Sequence, residues 1–353
     1  MAPVSRDIVR DAAADCGIDQ VGFASAAPVA RDLSSFCDPR SVLPTAASVV
    51  CAAQCYLKDE EDDLSRPGEP HGLIAPYTRR NHYKDLRDRL KALAKLLEKA
   101  AGTAVRSKCS SCGPLAEKPL ARASGLGWYG KHGIIVTKRF GSWVVLGEMA
   151  TEFRFEPDPE VPDACGDCRA CMEACPTKAI TAPGRLDRSR CLQHLTNSPS
   201  AIPEDWRPLW GKRLYGCATC QQVCPKNAAV RPSPRAVASG AVGPSIPLIP
   251  LLSMTESGYR TAFAGNQIAA RWVRFEAIRR NACLALGNAA DPAAVPALAG
   301  TLAADPSVLV RGHAAWALGR LGRGEARAAL DRCRKTEPDP SVRSEIEAAL
   351  RSP

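Results

Sequence analysis

The sequence predicts an α+β fold in three parts: an N-terminal α/β domain, a cysteine-rich domain and C-terminal helical repeats. Helical and strand-like apolar runs alternate in the first 155 residues, two cysteine runs lie between positions 165 and 224, and a 32-residue spacing recurs after position 270. A chain of 353 residues is long enough for two or three domains that each bury a core. We expect the domains to span 1–155, 156–230 and 270–353, with a connector and helices over 231–269.

Apolar periodicity places the first elements. We predict a helix at Arg6–Cys16, a strand at Gln20–Ala24 and a second strand in the apolar run Ser48–Tyr56. A long amphipathic helix is predicted over His82–Ala101, because apolar residues recur there at helical spacing with charged residues between them. These apolar positions are Tyr83, Leu86, Leu90, Leu93 and Leu97.

Turn signals predict the later strands and the connectors. Gly133–Thr137 and Ser142–Glu148 are predicted as two strands joined by a turn at Arg139–Gly141. The acidic, proline-bearing stretch Glu156–Asp163 is expected to be a hinge into the cysteine-rich domain. Arg231–Pro250 holds five prolines, which predicts a second connector.

The first cysteine run has the spacing C-x2-C-x2-C-x3-C-P, which is typical of bacterial ferredoxins. In those proteins three thiolates hold one [4Fe–4S] cube and the fourth reaches a second cube. The proline stops a regular helix, so the fourth thiolate can turn away. The run consists of Cys165, Cys168, Cys171 and Cys175-Pro176.

A second run, Cys217, Cys220 and Cys224-Pro225, lacks its first cysteine, because Leu214 stands in that position. Cys191 lies between the runs and is the expected replacement. The sequence therefore predicts a ferredoxin-like domain with two [4Fe–4S] clusters. The predicted ligand sets are Cys165, Cys168, Cys171 and Cys224 for one cluster, and Cys175, Cys191, Cys217 and Cys220 for the other.

Zinc is the alternative, because paired C-x2-C units also make structural zinc sites. Two runs that end in Cys-Pro and exchange their fourth ligand are rare among zinc sites, which favours iron–sulfur clusters. No signal peptide or membrane span is visible in the sequence. We therefore expect a cytoplasmic protein without a membrane partner, in whose reducing surroundings thiols stay available for clusters.

The C-terminal part repeats every 32 residues. Val310-Arg311 follows Ile278-Arg279 at this spacing, and Val342-Arg343 follows in turn. A helical-pair period of about 30 residues resembles HEAT repeats, whose units bury their faces by stacking. From Ala270 onward 13 Arg and Lys stand against 9 Asp and Glu, and the whole chain carries a formal charge of +10. The repeats are expected either to cap the cluster domain or to form a basic groove for an RNA backbone.

Together these features resemble one family, the epoxyqueuosine reductases, over nearly the whole chain. The resemblance includes PLAEKPLARASGLGWYGKHGIIV at 114–136, FGSWVVLGEM at 140–149, RCLQHLT at 190–196, KRLYGCATCQQVCPKN at 212–227 and RRNACLALGN at 279–288. It implies that the N-terminal domain binds cobalamin and that an external low-potential donor feeds electrons through the clusters to cobalt. The reduced cobalt would then remove the epoxide oxygen of epoxyqueuosine in the anticodon loop of tRNA. The reductive dehalogenases share this pairing of cobalamin with two clusters.

The resemblance implies corrin contacts in the Gly125–Gly133 segment and the strand that follows it. Glycines there would let the backbone approach a flat ligand closely. A tight connection between strands is the other interpretation of the same glycines. The implied cobalamin contacts are Gly127, Trp128, Lys131, His132 and Ile135.

Two segments depart from the family pattern. The family has a catalytic Asp, taken to be the proton donor, at the start of a D-[ST]-[GA]-P segment, which is SCGP at 111–114 here. The family segment R-Y-x-x-G-x-D-Y-H is PYTRRNHYK at 76–84. A serine hydroxyl can relay a proton but is a poor acid at neutral pH.

Other side chains near these segments are candidates for the missing acid. Cys109 and Cys112 form a C-x2-C pair beside Ser111, and a thiol can donate a proton near neutral pH. His82 and His132 have better-matched pKa values. Half-buried structural thiols and a structural histidine are the alternative interpretation. The candidate catalytic residues are Ser111, Cys112, Cys109 and His82.

The sequence thus predicts a cobalamin- and [4Fe–4S]-dependent reductase, with epoxyqueuosine in tRNA as the first expected substrate. A paralogue that reduces a different small electrophile, in secondary metabolism or dehalogenation, is one alternative. A two-cluster electron carrier that has lost cobalamin is another, and corrin absorbance in purified protein separates it from the reductase. A tRNA-binding module with structural clusters is the third, and it would bind RNA tightly and in a salt-sensitive way without turnover.

We predict about eight iron atoms per chain, because two [4Fe–4S] clusters are expected. Iron analysis after anaerobic purification measures the content, and EPR of the reduced protein should show two interacting paramagnets. Half that iron content, or stoichiometric zinc, would contradict the ligand sets.

Overall fold

The structure is a computed structural model that describes residues 4–30, 36–235, 242–322 and 324–351. Residues 236–241 of the predicted connector lie outside the described residues. None of the described helices combines the length and the apolar composition needed to cross a bilayer. Two hydrophobic cores organise the chain, one around the N-terminal sheet and one that runs from the cluster part into the C-terminal helices.

The N-terminal part is a sheet covered by helices. Its elements are α1 (Arg6–Asp15), β1 (Gln20–Ser25), β2 (Val29–Ala30), β3 (Phe36–Cys37), β4 (Ser48–Cys55), β5 (His71–Ile74), α2 (His82–Ala101), β6 (Ser107–Ser110), α3 (Glu117–Ala123), β7 (Gly127–Tyr129), β8 (Ile135–Thr137) and β9 (Val144–Thr151). Four strands form an antiparallel sheet in the order β1–β4–β9–β6. Every residue of β4 and of β9 is buried, so these two strands form its centre.

Helix α2 spans the predicted residues His82–Ala101. It begins after Asn81, whose side chain accepts a hydrogen bond from the Lys84 amide, and ends before Gly102 in the left-handed conformation. The apolar positions from Leu86 to Leu97 are fully buried and pack on β9. The predictions for α1, β1 and β4 are confirmed to within one residue at their ends.

The two later strands form with a turn between them, as predicted, but they do not pair with each other. The strands β8 and β9 both form, but β8 pairs with β7, whereas β9 lies between β4 and β6. The eight-residue β9 is buried on both faces and pairs along its whole length with β4. A three-residue partner such as β8 would leave most of its backbone hydrogen-bonding groups unpaired.

The cluster part has short elements and shares a sheet with the N-terminal part. Its elements, and those that follow, are α4 (Ala170–Ala174), β10 (Ile180–Ala182), β11 (Arg185–Leu186), α5 (Leu192–Leu195), β12 (Arg213–Tyr215), α6 (Thr219–Gln222), β13 (Ser245–Pro247), α7 (Leu248–Leu252) and α8 (Glu256–Ala262). Strand β5 lies between β12, to which it is parallel, and β13, to which it is antiparallel. One residue of β5, Leu73, donates its amide to the carbonyl of Lys212 at 2.8 Å. The two predicted domains are therefore joined by backbone hydrogen bonds.

The acidic stretch predicted as a hinge is docked on the N-terminal part. The Asp158 carboxylate accepts hydrogen bonds from Arg6 at 2.9 Å, from Arg10 at 3.2 Å and from the amide of Phe23 at 3.2 Å. Further along, Glu160 pairs with Arg122 on α3 at 2.9 Å. The stretch predicted as a hinge is therefore restrained against the N-terminal part by guanidinium and amide partners of these two carboxylates.

The C-terminal part consists of stacked helices. They are α9 (Phe275–Ala289), α10 (Val295–Ala304), α11 (Val308–Leu321), α12 (Glu325–Arg334) and α13 (Pro340–Arg351). The repeated apolar residues Ile278, Val310 and Val342 are at most 1% exposed. A Cβ atom on Gly287 would lie 2.9 Å from the Cα atom of Ala317, so only glycine allows α9 and α11 to approach this closely. The predicted stacking of helical repeats is confirmed.

The repeated arginines of this part tie one unit to the next. Arg279 pairs with Asp305, and Arg311 pairs with Glu337 at 2.8 Å. In both pairs the carboxylate lies in the turn that precedes the next long helix. These arginines therefore stabilise the stacking and do not contribute free positive charge to a groove.

Arg280 joins the helical repeats to the cluster part. Its fully buried guanidinium donates to three backbone carbonyls of the segment 195–200 at 2.5–3.3 Å and to the side chain of Asn281 at 2.8 Å. Burial lowers the pKa of Arg280 to about 10. The Asn281 amide in turn donates to the carbonyls of Thr196 and Leu214, both at 2.8 Å. The loop that follows Cys191 is thus held by two neighbouring side chains of α9.

We predict that Arg280→Ala destabilises the protein by about 3 kcal/mol, because several buried carbonyl groups lose their hydrogen-bond donor. Thermal or denaturant unfolding followed by circular dichroism measures the effect. The matched control is Arg271→Ala at an exposed position nearby. Equal stability of the two variants would contradict the anchoring role.

Candidate active site

A cavity of about 820 Å³ lies where the N-terminal part meets the cluster part. Three kinds of residue line it: aromatic rings of the N-terminal part, the loop from β6 into α3, and thiols of the cluster part. These residues are Tyr56, Tyr77, Tyr83 and Tyr129; Cys112, Gly113, Glu117 and Lys118; and Cys175, Cys191, Cys217 and Cys220. The cavity thus brings one complete predicted ligand set to its wall.

The four thiols on the cavity wall are mutual neighbours. Burial raises the pKa of the Cys191 thiol, and the thiols of Cys217 and Cys175 add to that effect. Burial raises the pKa of Cys220 to about 12, with contributions from Cys217 and Cys191, then from Cys171 of the other predicted set, and from Cys175. Leu214 is fully buried in β12, and Cys191 at the N-terminal end of α5 takes its place among the thiols.

The other predicted ligand set also comes together, away from the cavity lining. Burial raises the pKa of Cys171, with further contributions from Cys224, Cys165 and Cys168. Cys168 is exposed, whereas each cysteine of the inner set is at least half-buried. No three His, Cys, Asp or Glu side chains among the described residues are gathered tightly enough for a single metal ion. A [4Fe–4S] cube does not need its four thiolates to surround one ion, because each thiolate binds a different iron.

The implied cobalamin contacts are only partly on the cavity. His132 lines it, together with Tyr129, Gly133 and Ile134, which the sequence argument did not single out. Gly127 cannot carry a side chain because a Cβ atom would lie 2.3 Å from the carbonyl oxygen of Val136 in the paired strand. Its role is therefore close packing in the β7–β8 hairpin.

The remaining implied contacts have other partners. Ile135 is fully buried in the N-terminal core, and Trp128 is 6% exposed with a buried indole N–H that has no hydrogen-bond partner. Lys131 donates to the carbonyl of Gly166 at 2.6 Å, beside the outer thiols. None of these three side chains is part of the cavity lining.

The loop after β6 separates the predicted proton donors. Ser111 is 3% exposed and donates its hydroxyl to the carbonyl of Leu146 at 2.6 Å, so it is bound to the sheet and does not line the cavity. Burial raises the pKa of Cys109 to about 12, and this residue also lies off the cavity. Cys112 is exposed and lines the cavity, with its backbone at a φ of 55°. Only Cys112 of the three is placed to meet a ligand.

The two histidines are both neutral near pH 7. Burial lowers the pKa of His82 to about 4, and its ring packs against Tyr56 with the ring centroids 5.8 Å apart. Because His82 does not line the cavity, its position supports a packing role at the start of α2. Burial and the nearby charge of Lys118 lower the pKa of His132 to about 4. The Nδ1 atom of His132 accepts from the Ile134 amide at 3.2 Å, and its Nε2 atom has no partner.

Sequence reasoning missed two carboxyl groups beside the altered loop. Glu117 at the start of α3 lines the cavity, and its Oε1 atom accepts a hydrogen bond from the Cys112 amide. Glu148 in β9 is 1% exposed, accepts from the Ser110 hydroxyl at 3.1 Å and has one oxygen without a partner. A signal for Glu148 was available, since it is the one charged residue in the apolar strand VVLGEMAT.

Comparison with known proteins identifies the architecture. Residues 164–227 match a family profile described as a 4Fe-4S double cluster binding domain, and residues 272–351 match HEAT repeats. Residues 37–111 match the profile described as epoxyqueuosine reductase QueG, DUF1730. The epoxyqueuosine reductase of Bacillus cereus is 34% identical over 366 aligned positions, which cover 95% of this chain and 93% of that protein. The chain belongs to the epoxyqueuosine reductase family.

Solved epoxyqueuosine reductases have the same fold. A selenomethionine-labelled epoxyqueuosine reductase superposes with a TM-score of 0.87, at 30% identity and with 98% of each chain covered. Another, solved with an epoxyqueuosine-modified tRNA-Tyr stem loop, has a TM-score of 0.86, 29% identity and coverage of 98% of this chain and 97% of that one. The Bacillus subtilis epoxyqueuosine reductase has a TM-score of 0.86 and 29% identity to this chain. That structure shows its catalytic aspartate loop swung out of the active site.

Family membership and the double cluster profile make this chain an iron–sulfur oxidoreductase of the epoxyqueuosine reductase family. The profile supports iron–sulfur clusters over zinc. The family match also supports an enzyme over an electron carrier or a binding module. The individual cluster ligands stay predictions, supported here by the two groups of neighbouring thiols.

We predict that Cys191→Ala removes the inner cluster and leaves the outer one reducible, so that iron falls from about eight to about four atoms per chain. Iron analysis and EPR measure this. Cys283→Ala, which removes a fully buried thiol far from both groups in sequence, is the matched control and should keep both clusters. Two intact clusters in Cys191→Ala would show that this residue is not the replacement ligand.

Proposed function

We propose that this protein is a cobalamin-dependent iron–sulfur reductase that removes the epoxide oxygen from epoxyqueuosine in tRNA. The observation that carries the proposal is the cavity, whose wall holds all four inner thiols together with aromatic rings and polar groups of the N-terminal part. An electron carrier has no use for a chamber of about 820 Å³ beside its inner cluster. Relatives of about one-third identity carry the epoxyqueuosine reductase name over nearly their full length.

The residues present fit a large, flat, amide-rich group such as cobalamin. Tyr77 and His132 line the cavity, and the Tyr77 hydroxyl and the His132 Nε2 atom are buried without hydrogen-bond partners among the described residues, so they could serve peripheral amides of a corrin. A Cβ atom on Gly133 would meet only the carbonyl oxygen of Gly184, at 3.8 Å, so the backbone is open to a ligand there. Tyr129 and Ile134 supply apolar area on the same side.

Cobalamin would supply a cobalt centre that can be reduced to a strong nucleophile. The residues of the chain supply the surroundings for that chemistry. Tyr56, Tyr77 and Tyr83 restrict water at the inner side, while His132 and Gly133 would hold the cofactor. The inner thiols would hold one cluster at the cavity wall. The outer thiols would hold the other toward the surface, where an external low-potential donor would deliver electrons one at a time.

A tRNA substrate is supported by the surface charge that remains after internal pairing. Arg279, Arg280 and Arg311 are engaged within the fold, so the basic excess rests on exposed side chains elsewhere. Trp272, 60% exposed between Arg271 and Arg274, offers a ring for base stacking beside two cations. A relative bound to a tRNA stem loop supports the same class of substrate.

Ser111 favours a second candidate, a paralogue that reduces a different electrophile. The residue at the family's acid position is a poor acid and is hydrogen-bonded to a backbone carbonyl. This departure from the family pattern at Ser111 does not extend to the cluster thiols or to the cavity. Electron delivery would be kept while the substrate differs.

We predict that the anaerobically reconstituted protein binds about one cobalamin and, with a low-potential reductant, converts epoxyqueuosine in a tRNA stem loop to queuosine. Corrin absorbance after gel filtration measures binding, and mass spectrometry of nucleosides measures conversion. Binding should weaken as salt rises, because phosphate contacts release counterions. Cobalamin binding without conversion would overturn the epoxyqueuosine assignment and leave the paralogue; comparison of a metabolite extract before and after treatment would then reveal its substrate.

A further inference from the structure

Glu148 is a carboxyl group that the fold keeps away from water. It lies in the central strand β9, opposite Ser110 on β6 and Cys51 on β4. One of its oxygens accepts from Ser110, and the other has no partner within the part of the chain that the structure describes. Burial raises the pKa of Glu148 well above its ordinary value, and the charge of Glu117 raises it further. A carboxyl in this position is stable as the neutral acid, because an unpaired buried charge is costly.

Glu117 connects this buried group to the cavity. Part of its side chain stays open to the cavity, although protein surrounds most of it, and burial raises its pKa as well. Its Oε1 atom holds the amide of Cys112, which fixes the loop that carries Ser111. The same loop joins the two carboxyl groups, because Glu148 accepts from the Ser110 hydroxyl and Glu117 accepts from the Cys112 amide two residues later. Two carboxyl groups that influence each other's ionisation lose their protons as a pair, and the last proton is held more tightly than by an isolated carboxyl group.

The other charged and titratable groups around the pair come from four directions. Tyr83 of α2 lies near Glu117, Cys112 lies in the loop before α3, and Lys118 follows Glu117 on α3. Cys51 on β4 lies opposite Glu148; burial raises the pKa of that thiol, and the charge of Glu148 raises it further. Burial raises the pKa of Cys112, and both carboxylates raise it further. The thiol is therefore a weaker acid than the carboxyl group beside it. Lys118 donates to the carbonyl of Gly133 at 2.8 Å.

We propose that Glu117 and Glu148 share a proton at the cavity wall and that Glu117 delivers it to the substrate in place of the missing aspartate. This rests on the proposed function. Conversion of an epoxide to an alkene breaks both C–O bonds, consumes two electrons and two protons, and releases the oxygen as water. The external one-electron donor supplies both electrons through the clusters, Glu117 protonates the departing oxygen, and solvent supplies the second proton. Glu148 is a positioning residue that holds the shared proton beside Glu117 until Glu117 delivers it.

The shared proton can be tested without cobalamin or substrate. Infrared spectra of the full chain with its clusters should show the C=O stretch of a neutral carboxyl near neutral pH, and that band should shift in D₂O. The difference spectrum between the parent and Glu148→Gln should contain the band, whereas the difference with Glu98→Gln, at an exposed position of α2, should not. Absence of the band from the Glu148→Gln difference overturns the pair.

Proton delivery is tested by single turnover of the cobalamin-loaded, pre-reduced enzyme with an epoxyqueuosine-modified stem loop. Glu117→Gln keeps the acceptor for the Cys112 amide but carries no acidic proton, so the rate should fall by roughly 10²–10⁴-fold. Iron content, corrin absorbance and stem-loop Kd should stay at the parent values. Glu98→Gln, at the exposed position used as the infrared control, should keep the parent rate. An unchanged rate in Glu117→Gln overturns the proposal.

A pH profile separates positioning from simple structural support. The acid acts in its protonated form, so the rate is full at low pH and falls as pH rises through the raised pKa of the pair. In Glu148→Gln no second carboxylate repels the negative charge that forms when Glu117 ionises. The pKa of Glu117 should therefore fall, so that the rate declines at a lower pH than in the parent, while the rate at low pH is unchanged. A uniform loss at every pH overturns the role of Glu148. A parent that shows the infrared band but does not convert epoxyqueuosine contradicts the proposed substrate and supports the shared proton.

Discussion

The exchange of one cysteine between the two thiol groups is the constraint on which the cluster part depends. Cys175 leaves its own run to join the inner group, and Cys224 leaves the second run to join the outer group. The backbone of both residues is extended where their runs end, and the prolines that follow prevent the helices from continuing. Segments 165–175 and 217–224, which are distant in sequence, must therefore lie against each other.

A second constraint is the position of the inner thiols between two bodies of the protein. The β5 strand of the N-terminal part pairs with β12 immediately before Cys217, and α9 holds the loop that follows Cys191 through Arg280 and Asn281. Both ligand-bearing loops are thus fixed by groups outside the cluster part. Because these loops are fixed, the shape of the cavity is fixed as well, with aromatic rings on one side and thiols on the other.

Features with strong local signals were predictable from the sequence. Helix α2, the central strand β4 and the repeat period follow from periodicity, and both thiol groups follow from spacing. The pairing partners of β8 and β9 were not predictable, because local turn signals carry no information about which distant strand covers a buried edge. The contacts of the acidic stretch were hidden for a related reason, since the arginine partners of Asp158 lie about 150 residues away in sequence. At the site, Glu117 and Glu148 became visible only when the sheet and α3 brought two ordinary-looking glutamates together, and the glycine-rich segment proved to serve strand packing at Gly127.

The attachment of α9 to the cluster part affects how damage to the C-terminal half would become apparent. Loss of the helical repeats would uncover Leu195 and Ile202, which pack in the same core as α9 and α11. It would also release the segment that begins at Cys191. Shortened or frame-shifted chains ending before residue 270 would therefore be deficient in cofactor assembly and not merely in recognition of a large substrate. For this architecture the colour of the purified protein reports on the integrity of helices that contain no cluster ligand.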